Sequence, residues 1–340
     1  MDWNPVAAAL VWQRATTALD SVGLSTAERE ICSALAERAE SFLPLVASDE
    51  EDLPEPFRVK EMTTGCNPNG GRWTVEQIAA RLPAAQFGGR AIERWAVGVT
   101  TAPRRVPTLA GALDTLAATG LPTPRLFIDG NSDGNSDGNQ FEPLSGRDLP
   151  RTIRQPAVGA WRNYYLTLAE LLCTAPDAEG LLVVQDDALW PAGAPMADYL
   201  ATCRWPTSES FIASFYCCAD YTADVAGWRL FQGAWVYGAV AFGFSRAAAE
   251  ALVSDPAALQ RCREPRSGGI DAWIGEWAVQ RRIPVLVPTP SIVQHAGDVS
   301  TLWETSRAVG VRRAARWLRD ELLQESPRVD LNSTGSGPLR

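Results

Sequence analysis

Blocks of apolar and polar positions alternate along the middle of the chain, and they predict strands that alternate with helices. Short apolar runs predict strands at residues 95–99, 126–128, 181–184, 211–215, 240–244 and 285–287. Between these runs, apolar residues recur at helical spacing over residues 107–118, 158–173, 246–253 and 270–281. Strand–helix alternation predicts an α/β fold with a Rossmann-like, mainly parallel sheet that helices cover on both faces.

The two ends of the chain have different patterns. The N-terminal part has helical periodicity, and Thr74 with Gln77 three residues later predicts the cap of a further short helix. Towards the C-terminus an Arg-rich amphipathic helix precedes a stretch rich in Ser, Gly and Pro. We therefore divide the chain into a helical N-terminal region at 1–60, a linker with a short helix at 61–90, an α/β domain at 91–305 and a C-terminal helix with a flexible tail at 306–340.

Composition and charge narrow the class of protein. Hydrophobic residues make up 46% of the chain and charged residues 21%, which is typical of a globular protein with a sizeable core. The net charge of -9 argues against broad nucleic-acid binding, although a local basic groove stays open. The seven cysteines form no Cys-x-x-Cys pair, which is typical of reduced thiols. With no signal-peptide pattern and no long apolar run, we expect a cytoplasmic protein without a transmembrane segment.

Polar residues that follow predicted strands are the first candidates for a site, because ligands bind beyond the carboxyl ends of parallel strands. The strand at 95–99 leads into Thr100 and Thr101, with Arg104 close behind. Hydroxyl and guanidinium groups at this point suit the ribose and phosphates of a nucleotide. A helix N-cap beside solvated arginines is an equally good interpretation.

The strand at 126–128 ends at Asp129, whose carboxylate could accept hydrogen bonds from a nucleobase. Taken alone, a turn-forming Asp-Gly is the better interpretation of this residue. Residues 129–134 also match the first half of a calcium-binding EF-hand loop, but Gln140 stands where that loop needs a bidentate Glu. A flexible loop with a repeated Asn-Ser-Asp-Gly unit is the simpler interpretation.

The strand at 181–184 runs directly into Gln185, Asp186 and Asp187. Two adjacent carboxylates at a buried strand end are costly unless a cation accompanies them. Mg²⁺ or Mn²⁺ bridged to phosphates is one common answer. One capping Asp and one solvated Asp would be the alternative.

The chain has a single histidine, His295, which follows the last predicted strand. A lone His is more often a packing residue than a ligand. Imidazole nevertheless suits Mn²⁺ beside carboxylates, so a shared sheet edge would make Asp187 and His295 a metal site.

The order of these segments resembles GT-A glycosyltransferases, in particular N-acetylglucosaminyltransferase IV-like enzymes and their bacterial relatives. The segment 181–188 resembles the metal-binding strand end of that family, and 290–297 resembles its C-terminal Gln-His-x-Gly segment. Residues 235–245 resemble its Gly-rich acceptor-side strand, 268–271 its catalytic loop and 96–101 its first nucleotide-binding strand. The resemblance spans about residues 91–305 and leaves out the N-terminal part.

The resemblance implies a metal-dependent transfer of a sugar from a nucleotide-sugar donor, a UDP-sugar first among them, to a glycan or another hydroxyl acceptor with inversion. It implies that Asp187 and His295 bind Mn²⁺ or Mg²⁺ and that Asp271 is the general base; a helix cap is the alternative for Asp271. The implied donor-binding residues are Thr100, Thr101, Arg104, Asp129, Gln185 and Asp186. The implied acceptor-binding residues are Trp235, Tyr237, Gly238 and Trp273; for the three aromatic residues, packing in the core is the alternative. The family has an acidic residue where this chain has Gln185, which predicts weaker metal binding.

Two other functions stay open at this point. A metal-dependent nucleotidyl- or phosphotransferase could use the same carboxylates, although the sequence has no GxxxxGK[ST] phosphate loop. A non-catalytic nucleotide- or glycan-binding protein on the same scaffold is also possible, because a fold does not guarantee an activity.

Overall fold

The computed structural model describes residues 72–104, 107–130, 148–233, 238–263, 269–296 and 313–324, together with Thr26, Arg29 and Ser33. The chain divides into two units, Met1–Pro56 and Phe57–Arg340. Thr26, Arg29 and Ser33 are helical, and the remainder of the helical pattern predicted for the first unit lies outside the described residues.

The described part of the second unit is built on one large sheet. Its strands are β1 Trp95–Thr101, β2 Arg125–Asp129, β3 Arg151–Arg154, β4 Gly180–Gln185, β6 Ile212–Ser214, β7 Gly227–Leu230, β8 Ala241–Ser245 and β9 Val285–Thr289. A separate two-stranded ribbon consists of β5 Ala188–Leu189 and β10 Gln294–His295.

The sheet is mixed but mainly parallel, with the strand order β3-β2-β1-β4-β8-β6-β9-β7. Strands β1, β2, β3 and β4 run parallel to one another, and β6 runs parallel to β9. Strand β8 is antiparallel to both of its neighbours, and β7 is antiparallel to β9. The predicted α/β class with a Rossmann-like, mainly parallel sheet is therefore confirmed.

Helices cover both faces of the sheet. They are α1 Val75–Arg81, α2 Leu109–Ala117, α3 Ala160–Thr174, α4 Met196–Thr202, α5 Arg246–Ser254, α6 Pro256–Arg261, α7 Ile270–Arg281 and α8 Leu318–Leu323, with a 3-10 turn at Ala219–Tyr221. The predicted cap of α1 is confirmed, because the Thr74 side chain accepts from Gln77 N while the Gln77 side chain accepts from Thr74 N.

Alternate residues of each central strand enter two cores. On β4, Leu182 and Val184 pack with residues of α1, α2, α4 and α8, whereas Leu181 and Val183 pack with residues of α3, α5, α6 and α7. Successive side chains of a strand point to opposite faces, and a strand that is buried on both faces is apolar throughout. This double burial explains why β4 is a continuous apolar run and was recognisable in the sequence.

The structure differs from the sequence predictions at the sheet edges and near the C-terminus. Strands β3 and β7, at the two edges of the sheet, were missed because both are short and partly polar. Residues 313–317 are not helical, although the sequence predicted a helix from about residue 305. They lie beside the segment after β9 instead: Ser291 N donates to Arg316 O and Leu318 N to Ser291 O, both at 2.9 Å.

Every helix in the described part of the chain is too short or too polar to cross a membrane.

Gly98, in the middle of β1, allows α3 to pack closely on the sheet. A Cβ atom at this position would lie 2.9 Å from Phe127 Cε2 and 3.0 Å from both Leu171 Cδ1 and Thr167 Cγ2. We expect Gly98→Ala to lower the free energy of unfolding by about 1–3 kcal/mol because it overpacks this contact. Urea unfolding measures the change. An unaltered dependence of the unfolding free energy on urea concentration serves as the internal control, because it shows that only the stability has changed. An unchanged midpoint would contradict the packing argument.

Candidate active site

The candidate site lies at the carboxyl end of the parallel strands. Strands β2 and β3 lie on one side of β1 and β4 on the other, so β1 and β4 flank the point where the strand order reverses. Crevices at such a reversal are the usual ligand sites of open α/β sheets. The register pairs Thr100 of β1 with Gln185 of β4, so the residues that follow both strands meet at this edge.

Asp186 and Asp187 occupy the turn after β4, and both are almost fully buried, with exposed fractions of 3% and 4%. The Thr101 hydroxyl donates to Asp186 Oδ2 at 2.6 Å. Arg104 Nη2 lies 2.8 Å from Asp186 Oδ1 and 2.9 Å from Asp187 Oδ2. The guanidinium group is held from its other side, because its Nη1 donates to Thr108 Oγ1 at 3.2 Å. One buried arginine thus bridges the two carboxylates.

His295 reaches the same pair from the far end of the chain. Strand β10 pairs with β5 in antiparallel fashion, so that His295 lies opposite Ala188. Its Nε2 is 3.3 Å from Asp187 Oδ2, and Ala296 N donates to the Asp187 backbone carbonyl at 2.8 Å. The structure therefore brings Asp187 and His295 together, as the metal-site hypothesis requires.

Strand β10 and the residues just before it are held in place by the C-terminal part of the chain. The Gln294 amide bonds to the backbone of Ala314 on both sides: Ala314 N donates to its Oε1 at 2.8 Å, and its Nε2 donates to Ala314 O at 3.3 Å. Trp317 Nε1 donates to Ile292 O at 3.1 Å. These contacts fix the backbone on which His295 is carried.

The two carboxyl groups have opposite pKa shifts. Burial raises the pKa of Asp186 to about 6, and the adjacent charge of Asp187 adds to this, although Arg104 and Thr101 oppose it. Burial also opposes ionisation of Asp187, but Arg104 and His295 outweigh it and lower the pKa of Asp187 below its ordinary value. Burial works against the charge of Arg104 as well, yet the two aspartates raise its pKa. Asp187 is therefore the ionised partner of Arg104, and Asp186 is the first of the two to take a proton.

Asp271 lies in the first turn of α7, where the N-cap is Gly269. The interpretation of Asp271 as the N-cap residue is therefore wrong. A carboxylate in the first turn nevertheless stabilises a helix through the helix dipole. Asp271 Oδ2 accepts from Gly238 N at 3.1 Å and Oδ1 from Ala272 N at 3.0 Å. Burial raises the pKa of the Tyr164 hydroxyl, and the nearby charge of Asp271 adds to that shift.

The contact with Gly238 places Asp271 at the same sheet edge as the aspartate pair. Strand β8 runs antiparallel to β4 and begins where β4 ends, with Ala241 opposite Val184 and Gln185 N donating to Val240 O. Gly238 shortly precedes this point in the chain. How Asp271 acts stays a prediction.

The remaining predicted donor-binding residues lie near the pair but make different contacts. Thr100 donates to the Val184 carbonyl at a long 3.4 Å, and Gln185 ends β4. Asp129, at the end of the neighbouring β2, accepts from Val158 N at 2.6 Å and from Gly159 N at 2.9 Å. Both of its carboxylate oxygens thus bind the loop before α3, which favours a structural role over base recognition.

Among the predicted acceptor-binding residues, Trp273 packs edge-on against Trp161, with ring centroids 4.6 Å apart, and Arg261 lies over both rings. This side of Trp273 belongs to the core. Trp235 and Tyr237 lie outside the described residues, and so do residues 131–147, which contain most of the calcium-like sequence pattern.

The donor set at the aspartate pair is suitable for Mn²⁺ or Mg²⁺, with one condition. Asp187 Oδ1 and His295 Nδ1 are buried and have no hydrogen-bond partner among the described residues. Carboxylate and imidazole are suitable ligands for such ions. Within the described ranges, however, no three side chains of His, Cys, Asp or Glu are arranged to hold a metal ion. Arg104 contacts the oxygens that a metal would need, so the residues fit a metal only if Arg104 moves.

Sequence reasoning missed two contributors to the site. Thr108 accepts a hydrogen bond from Arg104, but in the sequence a Thr at this position indicates only the start of a helix. The Gln294 clamp on Ala314 joins positions 20 residues apart, and no sequence pattern pairs these two residues. Arg104 was recognised as a candidate, but as a phosphate ligand and not as the partner of the carboxylates.

Comparisons with known proteins give fold-level likeness only. No protein-family model matches the chain, and no curated protein sequence does so. Two similar solved structures are mannose-1-phosphate geranyltransferase from Thermus thermophilus and inositol-1-phosphate CTP transferase from T. maritima. The first is 16% identical, covers 57% of this chain and 73% of its own and has a TM-score of 0.35. The second is 12% identical, covers 58% of this chain and 86% of its own and has a TM-score of 0.35. Both are transferases by name, and at a TM-score this low the chemistry of this protein has to be argued from its own residues.

The aspartates are expected to respond differently to neutral substitution in the absence of ligands. Asp187→Asn removes the negative charge that Arg104 and His295 share, and replaces one of the two carboxylate oxygens with a donor NH₂ group, so we expect a loss of about 1–3 kcal/mol at pH 7. Asp186→Asn removes the carboxylate that burial opposes, and we expect no loss or a gain. Chemical denaturation compares the two variants. Equal destabilisation by both would contradict the assignment of Asp187 as the ionised partner.

The raised pKa of Asp186 also predicts a pH dependence. In the unfolded chain an Asp ionises at about pH 4, whereas folded Asp186 ionises at about pH 6. Between these values the folded state binds more protons, so wild-type stability falls as pH rises relative to Asp186→Asn. The stability advantage of the variant should grow from about pH 4 to pH 6 and stay level above. Denaturation series at several pH values measure it, and a constant difference across this window would contradict the shift.

Proposed function

We propose that this protein is a metal-dependent glycosyltransferase. It would move a sugar from a nucleotide-sugar donor, with UDP-sugars as the first to test, to a hydroxyl acceptor. The observation that carries the proposal is the convergence of a buried carboxylate pair, Arg104 and His295 at the strand-order reversal of a Rossmann-like sheet. Carboxylates, an imidazole and a guanidinium group together suit a metal-bound diphosphate.

In this proposal, the donor lies along the ends of β1 and β4. Asp187 and His295 would hold Mn²⁺ or Mg²⁺, since Mg²⁺ is usually bound by one or two carboxylates together with substrate phosphates. When bound, the metal offsets the charge of the leaving diphosphate. Asp186 is held by the hydrogen bond from Thr101 and lies next to the metal-binding position, while Arg104 binds phosphate oxygens. Asp129 supports the loop before α3 and does not contact the donor.

Asp271 acts on the acceptor. Its carboxylate takes the proton of the attacking hydroxyl while that oxygen bonds to the anomeric carbon. The bond from the anomeric carbon to the diphosphate oxygen breaks at the same time, and the electron pair leaves with the nucleoside diphosphate. Attack from the face opposite the leaving group inverts the configuration. The hydrogen bond from Gly238 keeps the Asp271 carboxylate at the sheet edge.

Thermal unfolding with UDP, GDP and CDP, each with and without Mn²⁺, tests the donor site. We expect one nucleotide to raise the midpoint only when Mn²⁺ is present. Saturation at a hundredfold excess over Kd corresponds to about 2.7 kcal/mol of stabilisation. The same nucleotide bound to different sugars then serves in a transfer assay that detects the released nucleoside diphosphate.

Asp255→Asn is the matched control for Asp187→Asn. Asp255 is also buried and paired with an arginine, since Arg281 Nε lies 2.8 Å from its Oδ2, and its pKa is lowered to about 2, mainly by the hydrogen bond from Arg281. Both variants should lose stability, but only Asp187→Asn should abolish the metal-dependent shift. No shift with any nucleotide would sink the catalytic proposal. Release of pyrophosphate from a nucleoside triphosphate and a sugar phosphate would instead indicate nucleotidyl transfer.

A further inference from the structure

The position between the two aspartates is taken by a side chain. A single nitrogen, Arg104 Nη2, lies 2.8 Å from Asp186 Oδ1 and 2.9 Å from Asp187 Oδ2. The side chains of Arg104, Asp186 and Asp187 are only 12%, 5% and 6% exposed, so this contact is shielded from water. A divalent ion that bridged the two carboxylates at this point would compete with Arg104 for the same two oxygens, Asp186 Oδ1 and Asp187 Oδ2.

The atoms that Arg104 leaves unused lie next to this contact. Asp187 Oδ2 is shared by Arg104 and His295 Nε2, at 2.9 and 3.3 Å. Asp187 Oδ1 and His295 Nδ1 are buried and have no partner among the described residues. Unsatisfied buried polar atoms are costly. With Arg104 in place, the negative charge of the aspartates is compensated, but the hydrogen bonding of the cluster is incomplete.

We propose that Arg104 is a resident cation that keeps the divalent metal off the aspartate pair until a nucleoside diphosphate binds. This inference rests on the proposed function, because it concerns the same site. A metal ion that entered beside Arg104 would place two cations on the same buried oxygens, and their repulsion is weakly screened there. The diphosphate supplies negative oxygens to which a guanidinium group binds in bidentate fashion, so Arg104 can exchange its carboxylate partners for phosphate partners.

Metal and nucleotide then bind with positive coupling. The coupling is reciprocal, since each ligand must raise the affinity of the other by the same factor. The anchor at Thr108 is consistent with such an exchange: it holds Nη1 on the loop side, at 3.2 Å, while Nη2 faces the carboxylates. The site would thus assemble around the donor and would not be metal-loaded in advance.

The test measures Mn²⁺ binding by electron paramagnetic resonance of the free ion, first without nucleotide. Wild type should bind Mn²⁺ weakly, and Arg104→Gln should bind it at least about tenfold more tightly. Arg104→Lys, which keeps the charge but has no planar fork that can bridge two groups, should lie between them. Arg281→Gln is the matched control, because it removes the arginine partner of another buried aspartate and should leave Mn²⁺ binding unchanged.

The second part of the test repeats the Mn²⁺ titrations in the presence of saturating UDP, or of whichever nucleotide stabilises the protein. Wild type should then bind Mn²⁺ at least about tenfold more tightly than without nucleotide, and Arg104→Gln should gain less. If Arg104→Gln does not fold, Arg104→Gln combined with Asp186→Asn removes one charge of each sign and keeps Asp187 and His295.

The outcomes separate the two proposals. A folded Arg104→Gln variant that binds Mn²⁺ no more tightly than wild type would overturn the role of Arg104, whether or not nucleotides bind. Where a nucleotide does bind, wild type that takes up Mn²⁺ equally well with and without it would overturn that role as well. If no nucleotide binds but Arg104→Gln gains Mn²⁺ affinity, the proposed function fails and the exclusion of metal by Arg104 stands.

Discussion

The structure around the candidate site depends on one constraint, which is the burial of two adjacent carboxylates at the end of a central strand. Asp186 and Asp187 cannot both be ionised away from water without compensation. Thr101, Arg104 and His295 provide it, and they come from β1, from the loop after β1 and from β10. The two aspartates therefore connect the end of β1, the loop after β1 and β10 at one edge of the sheet.

The C-terminal part of the chain belongs to this arrangement, although it lies beyond the last strand of the sheet. His295 is reached only because β10 pairs with β5, which directly follows the aspartate pair. Gln294 and Trp317 then join β10 and the residues just before it to the chain before α8. Since these three hydrogen bonds are buried, a break in any of them would leave polar groups unsatisfied and release the backbone that carries the imidazole. The geometry of the site and the packing of α8 are thus coupled.

The sequence predicted the interior of the fold better than its edges. Central strands such as β4 are buried on both faces and leave an unbroken apolar run, whereas edge strands β3 and β7 face solvent and carry no comparable pattern. The sequence made the adjacency of Asp187 and His295 conditional on a shared sheet edge, and the structure brings the two side chains together through the pairing of β10 with β5. The position of Arg104 was not, because an ion pair depends on the path of a loop, and a loop has no periodicity. The argument that two buried aspartates need a cation was sound, but it did not specify whether a metal or an arginine would supply the charge.

The direction of β8 explains why some residues of the proposed site follow a strand whereas Gly238 precedes one. Parallel strands β1 and β4 present the residues that follow them, so the proposed donor-binding groups come after strand ends. Strand β8 runs the opposite way, so the residues that precede it reach the same edge. Gly238 lies there and donates to Asp271, which joins the start of α7 to this edge. One antiparallel strand within a mainly parallel sheet therefore brings Gly238, and with it the start of α7, to the edge at which β4 ends.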